Sequence, residues 1–215
     1  MKSVVKVLRS PSASADSVAF EPPVVRVQAR FGNTWAAWGS GFFIGQWPSS
    51  IITARHVVAL PQGIAPSDVK AEAFICGVWT KLEVVAIAFP EGGNAAPDVA
   101  IVRIQGTCTT GLQAATMDGP CRVEIWGYPL GVGRTTSGLP AVVGTRAFPG
   151  AGQLRIERPG RAGMSGGPVV AVSDAGSPLA AVGIYLGTSP NGAKARVLID
   201  DFLFAAKDAA MNAIA

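Results

Sequence analysis

The stretch Gly163-Met164-Ser165-Gly166-Gly167-Pro168 decides how the rest of the chain is interpreted. It places one serine among three glycines, and an apolar run at 169–172 follows it. A serine hydroxyl is a weak nucleophile, so it needs a neighbouring base and donors aimed at the oxyanion that it creates. The amide N–H groups of Gly163 and Ser165 can supply those donors if the turn adopts backbone angles that favour glycine at 163. Taken alone, the stretch is equally typical of a glycine-rich hairpin turn.

Two further stretches supply a base and an acid. The single histidine of the chain, His56, follows a short apolar run at 51–52. Asp98 stands at the head of an almost wholly apolar segment at 99–104, which predicts a strand that carries the carboxylate towards the interior, where it needs a partner. The order His56, Asp98, Ser165 is that of the chymotrypsin arrangement and differs from the order in subtilisins and α/β-hydrolases. These three residues are therefore the candidate catalytic group.

With these motifs the chain resembles a chymotrypsin-fold (trypsin-like) serine protease. The matching pieces are Thr-Ala-Arg-His at 53–56, Asp-Val-Ala-Ile-Val at 98–102 and Gly-Met-Ser-Gly-Gly-Pro at 163–168. Two more pieces, Gly-Ser-Gly-Phe-Phe-Ile at 39–44 and Trp-Gly-Tyr-Pro-Leu-Gly at 126–131, are most similar to the protease domain of bacterial high-temperature-requirement serine proteases. The resemblance covers about residues 24–204 and implies two six-stranded antiparallel β-barrels.

Composition agrees with an all-β protein and limits its partners. Gly and Pro together are abundant, at 26 and 16 residues, and only 15% of residues are charged. The net charge of +4 comes from Lys and Arg residues spread singly along the chain, so we expect no nucleic-acid partner. No uninterrupted apolar stretch is long enough for a membrane span, and no signal peptide is recognisable. We therefore expect no membrane partner and a cytoplasmic location.

The cysteines point to a reducing compartment. Cys76, Cys108 and Cys121 are odd in number and widely spaced, which does not suggest a disulfide framework. A zinc site built from three cysteines and one histidine is the formal alternative, but His56 is already assigned and no Cys-x-x-Cys spacing occurs. We expect neither a metal nor another cofactor.

Hydrophobic alternation divides one protease domain into an N-terminal arm at 1–23, a first β-barrel with the interlobe crossing at 24–117, and a second β-barrel with a terminal helix at 118–215. The arm is expected to be loosely held. Acids at 200–201 and an apolar stripe behind them predict a C-terminal α-helix. The predicted strands are 24–30, 35–44, 51–53, 74–78, 82–88 and 98–104 in the first lobe, and 122–126, 141–147, 154–158, 168–172, 179–186 and 194–199 in the second.

Three tryptophans lie close together in the sequence of the first lobe. Trp35, Trp38 and Trp47 suit either an exposed interaction face or the interior. Because large aromatic side chains usually pack inside β-structures, we expect them to lie mostly under the first lobe.

The resemblance also implies a mechanism. Ser165 would attack the scissile carbonyl, His56 would take and later return its proton, and Asp98 would hold the imidazole. The N–H groups of Gly163 and Ser165 would form the oxyanion hole, and the polypeptide substrate would pair as an added strand along 182–187. Met164 replaces the aspartate that digestive trypsins use in zymogen activation. The oxyanion loop is therefore expected to form constitutively, or to be ordered by substrate or by a regulatory protein partner.

The resemblance places the specificity pocket between the segment before the nucleophile and the strand after it. These segments are 159–162 and 182–188, and neither contains an acid, so cleavage after Lys or Arg is not expected. The apolar residues Ile184, Tyr185 and Leu186 would narrow the pocket, so small or medium apolar residues are expected before the cut bond. In the alternative, Arg158 or Arg161 selects Glu or Asp. The expected substrate-binding residues are Pro159, Gly160, Arg161, Ala162, Gly183, Ile184, Tyr185, Leu186 and Gly187.

Two other functions stay open at this point. The same cleft could bind a peptide without cutting it, although such modules commonly lose a catalytic residue and none is missing here. The fold could also serve an esterase or a narrow processing enzyme within a larger assembly. The sequence leaves the physiological substrate and the oligomeric state open.

Overall fold

The structure, a computed structural model, describes residues 3–7, 17–18, 23–60, 66–90, 97–130, 138–176, 178–189 and 192–197. Within these ranges the chain forms sixteen strands and one helix of four residues. Short strands joined by tight turns are what the glycine and proline content predicted.

The first lobe is a curled eight-stranded sheet with the strand order β1-β8-β9-β5-β4-β3-β6-β7. Along β3, Val25, Val27 and Ala29 are buried and the residues between them face outwards, as expected of a strand with one face on a core. The elements of this part of the chain are β1 (Ser3–Val7), β2 (Ser17–Val18), β3 (Val24–Phe31), β4 (Thr34–Phe43), β5 (Ser50–Thr53), α1 (Arg55–Val58), β6 (Asp68–Ile75), β7 (Val78–Leu82), β8 (Val84–Pro90), β9 (Ala100–Ile104) and β10 (Thr107–Cys108). The short strands β2 and β10 pair with each other in parallel.

The second lobe is a closed six-stranded barrel in which each strand pairs with its neighbours in the order β11-β12-β13-β16-β15-β14. Its strands are β11 (Cys121–Gly127), β12 (Ala141–Gly150), β13 (Gln153–Ile156), β14 (Pro168–Val172), β15 (Pro178–Ser189) and β16 (Gly192–Val197). The two lobes together confirm the predicted all-β chymotrypsin fold.

The first lobe departs from the predicted closed six-stranded barrel. Residues 3–7, predicted to lie in a loosely held arm, pair along β8 as an additional strand. The predicted strand at 74–78 was wrong, because the chain reverses at Cys76 and Gly77, whose φ angles are +48° and +83°. Two consecutive left-handed residues suit a tight hairpin turn. Trp79, which lies between the predicted strands 74–78 and 82–88, belongs to β7 and pairs with Phe74 across the hairpin.

One hydrophobic cluster joins the lobes. It includes Phe42 and Ile101 from the first sheet and Tyr128 and Ile184 from the second lobe. Because residues from both lobes share this core, the cleft between the lobes has fixed walls.

The tryptophan prediction was correct only for Trp47, which is 3% exposed and belongs to the interlobe cluster. Trp35 and Trp38 are 37% and 40% exposed. They lie on the outer face of the first sheet, where the guanidinium carbons of Arg30 and Arg26 are 5.6 Å and 5.0 Å from the respective ring centroids. Stacking with arginine lets these rings remain at the surface.

Two other expectations concern the chain ends and membranes. The predicted C-terminal helix lies outside the described residues. In the described part of the chain, no helix has the length and apolar character needed to cross a bilayer.

Candidate active site

His56 and Asp98 are brought together by two neighbouring strands. The chain leaves β5 at Thr53 and enters the short helix α1, which carries His56. Thr53 pairs with Ala100 of β9, so Asp98 lies two residues before that pair and beside α1. Asp98 Oδ2 lies 2.6 Å from His56 Nδ1, and Asp98 Oδ1 accepts a 2.9 Å hydrogen bond from the His56 main-chain N–H. Both carboxylate oxygens therefore hold the histidine.

The electrostatics of Asp98 favour its ionised form. Burial by itself would raise the pKa of Asp98, but the hydrogen bonds from the His56 side chain and main chain and the charge of the imidazole outweigh it. The net effect lowers the pKa of Asp98 below its ordinary value. A carboxylate in this state can fix the imidazole tautomer and stabilise an imidazolium.

The Ser165 turn is held by main-chain hydrogen bonds that leave two donors open. Gly163 and Gly166 have φ angles of +89° and +86°, which favour glycine. The N–H groups of Met164, Gly166 and Gly167 donate to main-chain carbonyl oxygens at 2.7–3.1 Å. In the described part of the chain, the N–H groups of Gly163 and Ser165 donate to no protein acceptor. These two are the predicted oxyanion donors.

Ser40 fastens this turn to the first lobe, a role that the sequence analysis missed. Its side chain is fully buried, and its Oγ donates to the Gly163 carbonyl oxygen at 2.9 Å while accepting the Tyr128 N–H at 2.9 Å. Its main-chain N–H donates to the Ser165 carbonyl oxygen at 2.8 Å, and its carbonyl oxygen accepts the Thr53 hydroxyl at 2.7 Å. The available signal was Ser40 lying between Gly39 and Gly41, a pattern typical of close backbone approach.

Close packing brings the serine turn to the strand end that carries His56. A Cβ added to Gly166 would lie 2.8 Å from the Ala54 main-chain nitrogen. A Cβ added to Gly39 would lie 2.6 Å from Val57 Cγ1 and 2.8 Å from the Ser165 carbonyl oxygen. The structure thus joins the predicted serine to the segments on both sides of His56. Among the described residues, however, no hydrogen bond links Ser165 Oγ to the imidazole.

A cavity of about 260 Å³ lies beside Ser165 at the predicted place of the specificity pocket. Its lining includes one arginine and one threonine, so it is more polar than the predicted apolar pocket. The lining residues are Gly160, Arg161, Ala162, Ser165, Tyr185, Leu186, Gly187 and Thr188.

Three of the predicted pocket residues do not line this cavity. Pro159 is exposed, Gly183 is paired on both sides within the barrel, and Ile184 is 1% exposed within the interlobe core. Within β15, Ile184 packs in the interlobe cluster whereas Tyr185 packs in the core of the second barrel, because successive side chains point to opposite faces. Thr188, which the sequence analysis did not name as a site residue, takes a place in the lining.

Tyr185 forms a rigid wall of the cavity. The side chain is 1% exposed, and a Cβ added to Gly160 would lie 3.0 Å from its ring. Burial raises the pKa of Tyr185, an effect opposed by a hydrogen bond with the Gly160 main chain. The phenol is therefore neutral at physiological pH and sits tightly against Gly160.

The open edge of β15 is shorter than predicted. Gly183 and Ile184 each pair with β14 on one side and with β16 on the other, and Tyr185 bonds to the main chain of Gly166 and Gly167. Among the residues that the structure describes, Gly187 and Thr188 pair with β16 and with no other strand. An added strand can therefore pair only beyond Tyr185, along 186–188, rather than along 182–187.

Comparison with protein families gives a match to the trypsin-like peptidase domain over residues 39–182, which is more than half of the chain. The chain belongs to the trypsin-like peptidase family. Its enzyme class is that of the serine endopeptidases, whose substrates are polypeptides, and the expectation of a chymotrypsin-fold serine protease is confirmed. Comparison with curated protein sequences finds no significant match. The particular closeness to high-temperature-requirement proteases stays a prediction.

Solved structures of serine proteases share the fold of this peptidase at low sequence identity. The active form of Rv3671c protease from M. tuberculosis is 18% identical with a TM-score of 0.59, and the match covers 93% of this chain and 90% of that one. Protease Anisep from Arthrobacter nicotinovorans is 12% identical with a TM-score of 0.65, covering 90% and 98%. A Glu endopeptidase is 16% identical with a TM-score of 0.61, covering 90% and 93%. At these identities the likeness concerns the fold.

Proposed function

We propose that the peptidase cleaves peptide bonds with Ser165 as nucleophile, His56 as general base and Asp98 as the group that orients His56. The observation that carries the proposal is the pattern of amide hydrogen bonds around Ser165. The N–H groups of Met164, Gly166 and Gly167 are occupied, whereas those of Gly163 and Ser165 have no protein acceptor among the described residues. Two open donors at the serine suit an oxyanion.

The reaction proceeds through an acyl-enzyme. Ser165 Oγ forms a bond to the scissile carbonyl carbon while its proton passes to His56 Nε2, since Nδ1 faces Asp98. The Gly163 and Ser165 N–H groups bind the oxyanion. The carbon–nitrogen bond then breaks as His56 returns the proton to the leaving amine, and a water activated by His56 releases the acyl group by the same steps.

Reaction requires a hydrogen bond between the Ser165 hydroxyl and the His56 imidazole. The Ser165–His56 hydrogen bond is not formed among the described residues, and such bonds often tighten only with substrate in place. We infer that a polypeptide strand pairing along 186–188, or a regulatory protein partner, brings the hydroxyl into line with Nε2.

We propose that the residue before the cut bond is small or medium and apolar. Tyr185 closes one side of the cavity, and Leu186 adds an apolar surface. A second candidate, selection of Glu or Asp, is favoured by Arg161 and Thr188, which line the same cavity. A positional-scanning peptide library separates them: dominant Val, Ala or Leu supports the first, dominant Glu or Asp supports the second, and dominant Lys or Arg contradicts both.

A fluorophosphonate probe tests the catalytic proposal. The probe should label Ser165 in the wild-type enzyme, fail to label Ser165→Ala, and label His56→Ala far more slowly, because the base is missing. Ser67→Ala is the matched control, since the Ser67 hydroxyl donates to the main-chain carbonyl oxygens of Arg30 and Gly32 in the first lobe. Absence of wild-type labelling, together with retained binding of peptides, would instead indicate a non-catalytic peptide-binding module.

The proposed setting of the enzyme is a reducing, cytoplasmic compartment. Among the described residues, Cys76, Cys108 and Cys121 form no disulfide, and Cys108 is buried. Free thiols persist most readily where the environment is reducing. Apart from the water that releases the acyl group, the proposed steps use side chains and amides of this chain.

A further inference from the structure

A second cavity, of about 520 Å³, opens on the outer face of the second barrel. Leu154 and Ile156 of β13 are buried in the barrel core, so Arg155 between them faces outwards. Lys194 lies likewise between the buried Ala193 and Ala195 of β16. The outward-facing side chains that line the second cavity and can contact a ligand are Phe148, Gln153, Arg155 and Lys194.

The strand register connects this cavity to the catalytic cleft. Phe148 pairs with Arg155, Arg155 with Lys194, and Lys194 with Gly187. A Cβ added to Gly187 would lie 3.4 Å from Ser165 Oγ. A single cross-strand row therefore runs from the side of the nucleophile to Phe148.

The specificity cavity lies between Ser165 and this second cavity. Thr188 lines the first, and its strand partner Ala193 lines the second. A substrate segment that reaches the second cavity must therefore extend past the residue before the cut bond, on its N-terminal side.

In the described part of the chain, the cations of the second cavity have no carboxylate partner. In the first lobe Arg26 and Lys70 pair with Glu72, and Arg30 pairs with Asp68. Among the described residues, neither Arg155 nor Lys194 forms an ion pair. Glu157, the acid that follows β13, donates its main-chain N–H to the Arg146 carbonyl oxygen, and among the described residues its carboxylate forms no ion pair with Arg155.

Phe148 orients one of these cations. The Arg155 guanidinium carbon is 4.4 Å from the Phe148 ring centroid, so the guanidinium stacks on the ring. Stacking occupies the face of the guanidinium and leaves its edge N–H groups able to bind a carboxylate in a bidentate manner. Arg155 is thus held in place without being neutralised.

We propose that this cavity is a substrate subsite for an acidic side chain, Asp or Glu, located N-terminal to the residue that precedes the cut bond. This inference rests on the proposed function, because it assumes that a polypeptide lies along 186–188. Arg155 and Lys194 bind the carboxylate, and Phe148 supplies the apolar floor. The peptidase therefore selects polypeptides with an acidic segment upstream of the cleavage site.

Matched peptides test the subsite. Two fluorogenic peptides share one apolar residue before the cut bond and differ only further upstream, where one carries Glu residues and the other Gln residues. We expect kcat/KM for the Glu peptide to be about fivefold to tenfold higher, and the ratio to approach one near 1 M salt, where charges are screened within about 3 Å. Equal values at low salt would overturn the subsite.

Charge variants assign the effect to this cavity. Arg155→Glu with Lys194→Glu should reverse the preference towards upstream Lys, whereas Lys81→Glu, an equal charge change per site at an exposed position of β7, should leave it intact. If the double variant does not fold, as judged by circular dichroism, Arg155→Gln with Lys194→Gln should abolish the preference. An unchanged preference in the folded variant would overturn the proposal.

Fluorophosphonate labelling separates the two proposals. Labelling of Ser165 should be as fast in the Arg155 and Lys194 variants as in the wild type, because the probe is too small to reach the second cavity. Normal labelling with no upstream preference refutes the subsite alone. Absence of labelling in the wild type refutes the catalytic proposal on which the subsite rests.

Discussion

The two halves of the active site differ in how completely their hydrogen bonds are formed. On the first-lobe side, His56 is held by both oxygens of Asp98, at 2.6 Å and 2.9 Å. On the second-lobe side, the Gly163 and Ser165 N–H groups have no protein acceptor among the described residues. The half that orients a group is complete before substrate binds, whereas the half that binds developing charge keeps its donors open.

This difference follows from what each half must do. A base needs one fixed orientation, so bonding every available atom helps it. An oxyanion hole must bind charge that appears only during the reaction, so donors already satisfied by protein acceptors would be lost to it. Ser40 keeps the open turn rigid by bonding to its carbonyl oxygens and leaving its N–H groups alone.

The largest expected effect comes from removing the nucleophile on the second-lobe side or the base on the first-lobe side. Ser165→Ala and His56→Ala should each lower kcat by about a millionfold, because nucleophile and base act as one unit. The double variant should be no worse than either single variant. Steady-state hydrolysis of a casein-derived peptide measures this, and near-normal turnover in His56→Ala would show that the base has been misassigned.

Asp98→Asn weakens only the first-lobe side of the active site, whose hydrogen bonds are complete before substrate binds. The asparagine keeps the shape but accepts only one of the two bonds and favours the wrong imidazole tautomer, so kcat should fall by about ten thousandfold. The circular dichroism spectrum should not change. A loss smaller than tenfold would mean that the His56–Asp98 pair contributes little to catalysis.

Ser40→Ala tests whether Ser40 holds the serine turn, which carries the open N–H donors, in place. The substitution removes the bond to the Gly163 carbonyl oxygen and leaves the Tyr128 N–H unpaired, which should lower the free energy of unfolding by about 1–3 kcal/mol. The activity of the folded enzyme should fall by about tenfold to a hundredfold, since the donors lose their alignment. Urea unfolding and kcat measure these effects. Ser67→Ala is the control: it removes exposed hydrogen bonds far from the serine turn, so it should cost less stability and leave kcat unchanged.

Gly187→Ala perturbs the wall next to the nucleophile. Gly187 has a φ angle of +100°, and the added methyl would lie 3.4 Å from Ser165 Oγ. The strain should cost about 1–2 kcal/mol of stability, and activity per folded molecule should fall severalfold. Gly176→Ala is the matched control, because its φ angle is +82° with nothing within 4 Å of the added methyl. Equal activity in the two variants would argue against a role of Gly187 in the cleft.

The smallest expected effect is on stability as a function of pH. Because the pKa of Asp98 is lowered in the folded protein, its contribution is present above the unfolded pKa near 3.8 and is lost as the pH falls through the folded value. The side chain is 37% exposed, so the contribution should be below about 1 kcal/mol. The difference in unfolding free energy between wild type and Asp98→Asn should shrink from pH 5 towards about pH 2. A difference that grows with falling pH would contradict the lowered pKa.

The sequence by itself determined the residue types that the chemistry needs and the positions of most strands. The order of His56, Asp98 and Ser165 and the glycines around the serine carry this information locally, because nucleophilic chemistry requires particular side chains and tight turns require particular backbone angles. The second barrel was predicted well for the same reason, since its strands are apolar or alternating segments bounded by turn residues.

Only the tertiary structure decided which atoms meet across the lobes. Ser40 and Gly163 are separated by 123 residues, and no local pattern reveals that one holds the other. The same is true of the cross-strand row from Gly187 to Phe148 and of the placement of Ile184 in a core rather than in the pocket. The physical reason is that strand register and sheet curvature depend on long-range pairing, which a stretch of sequence does not specify without its partners.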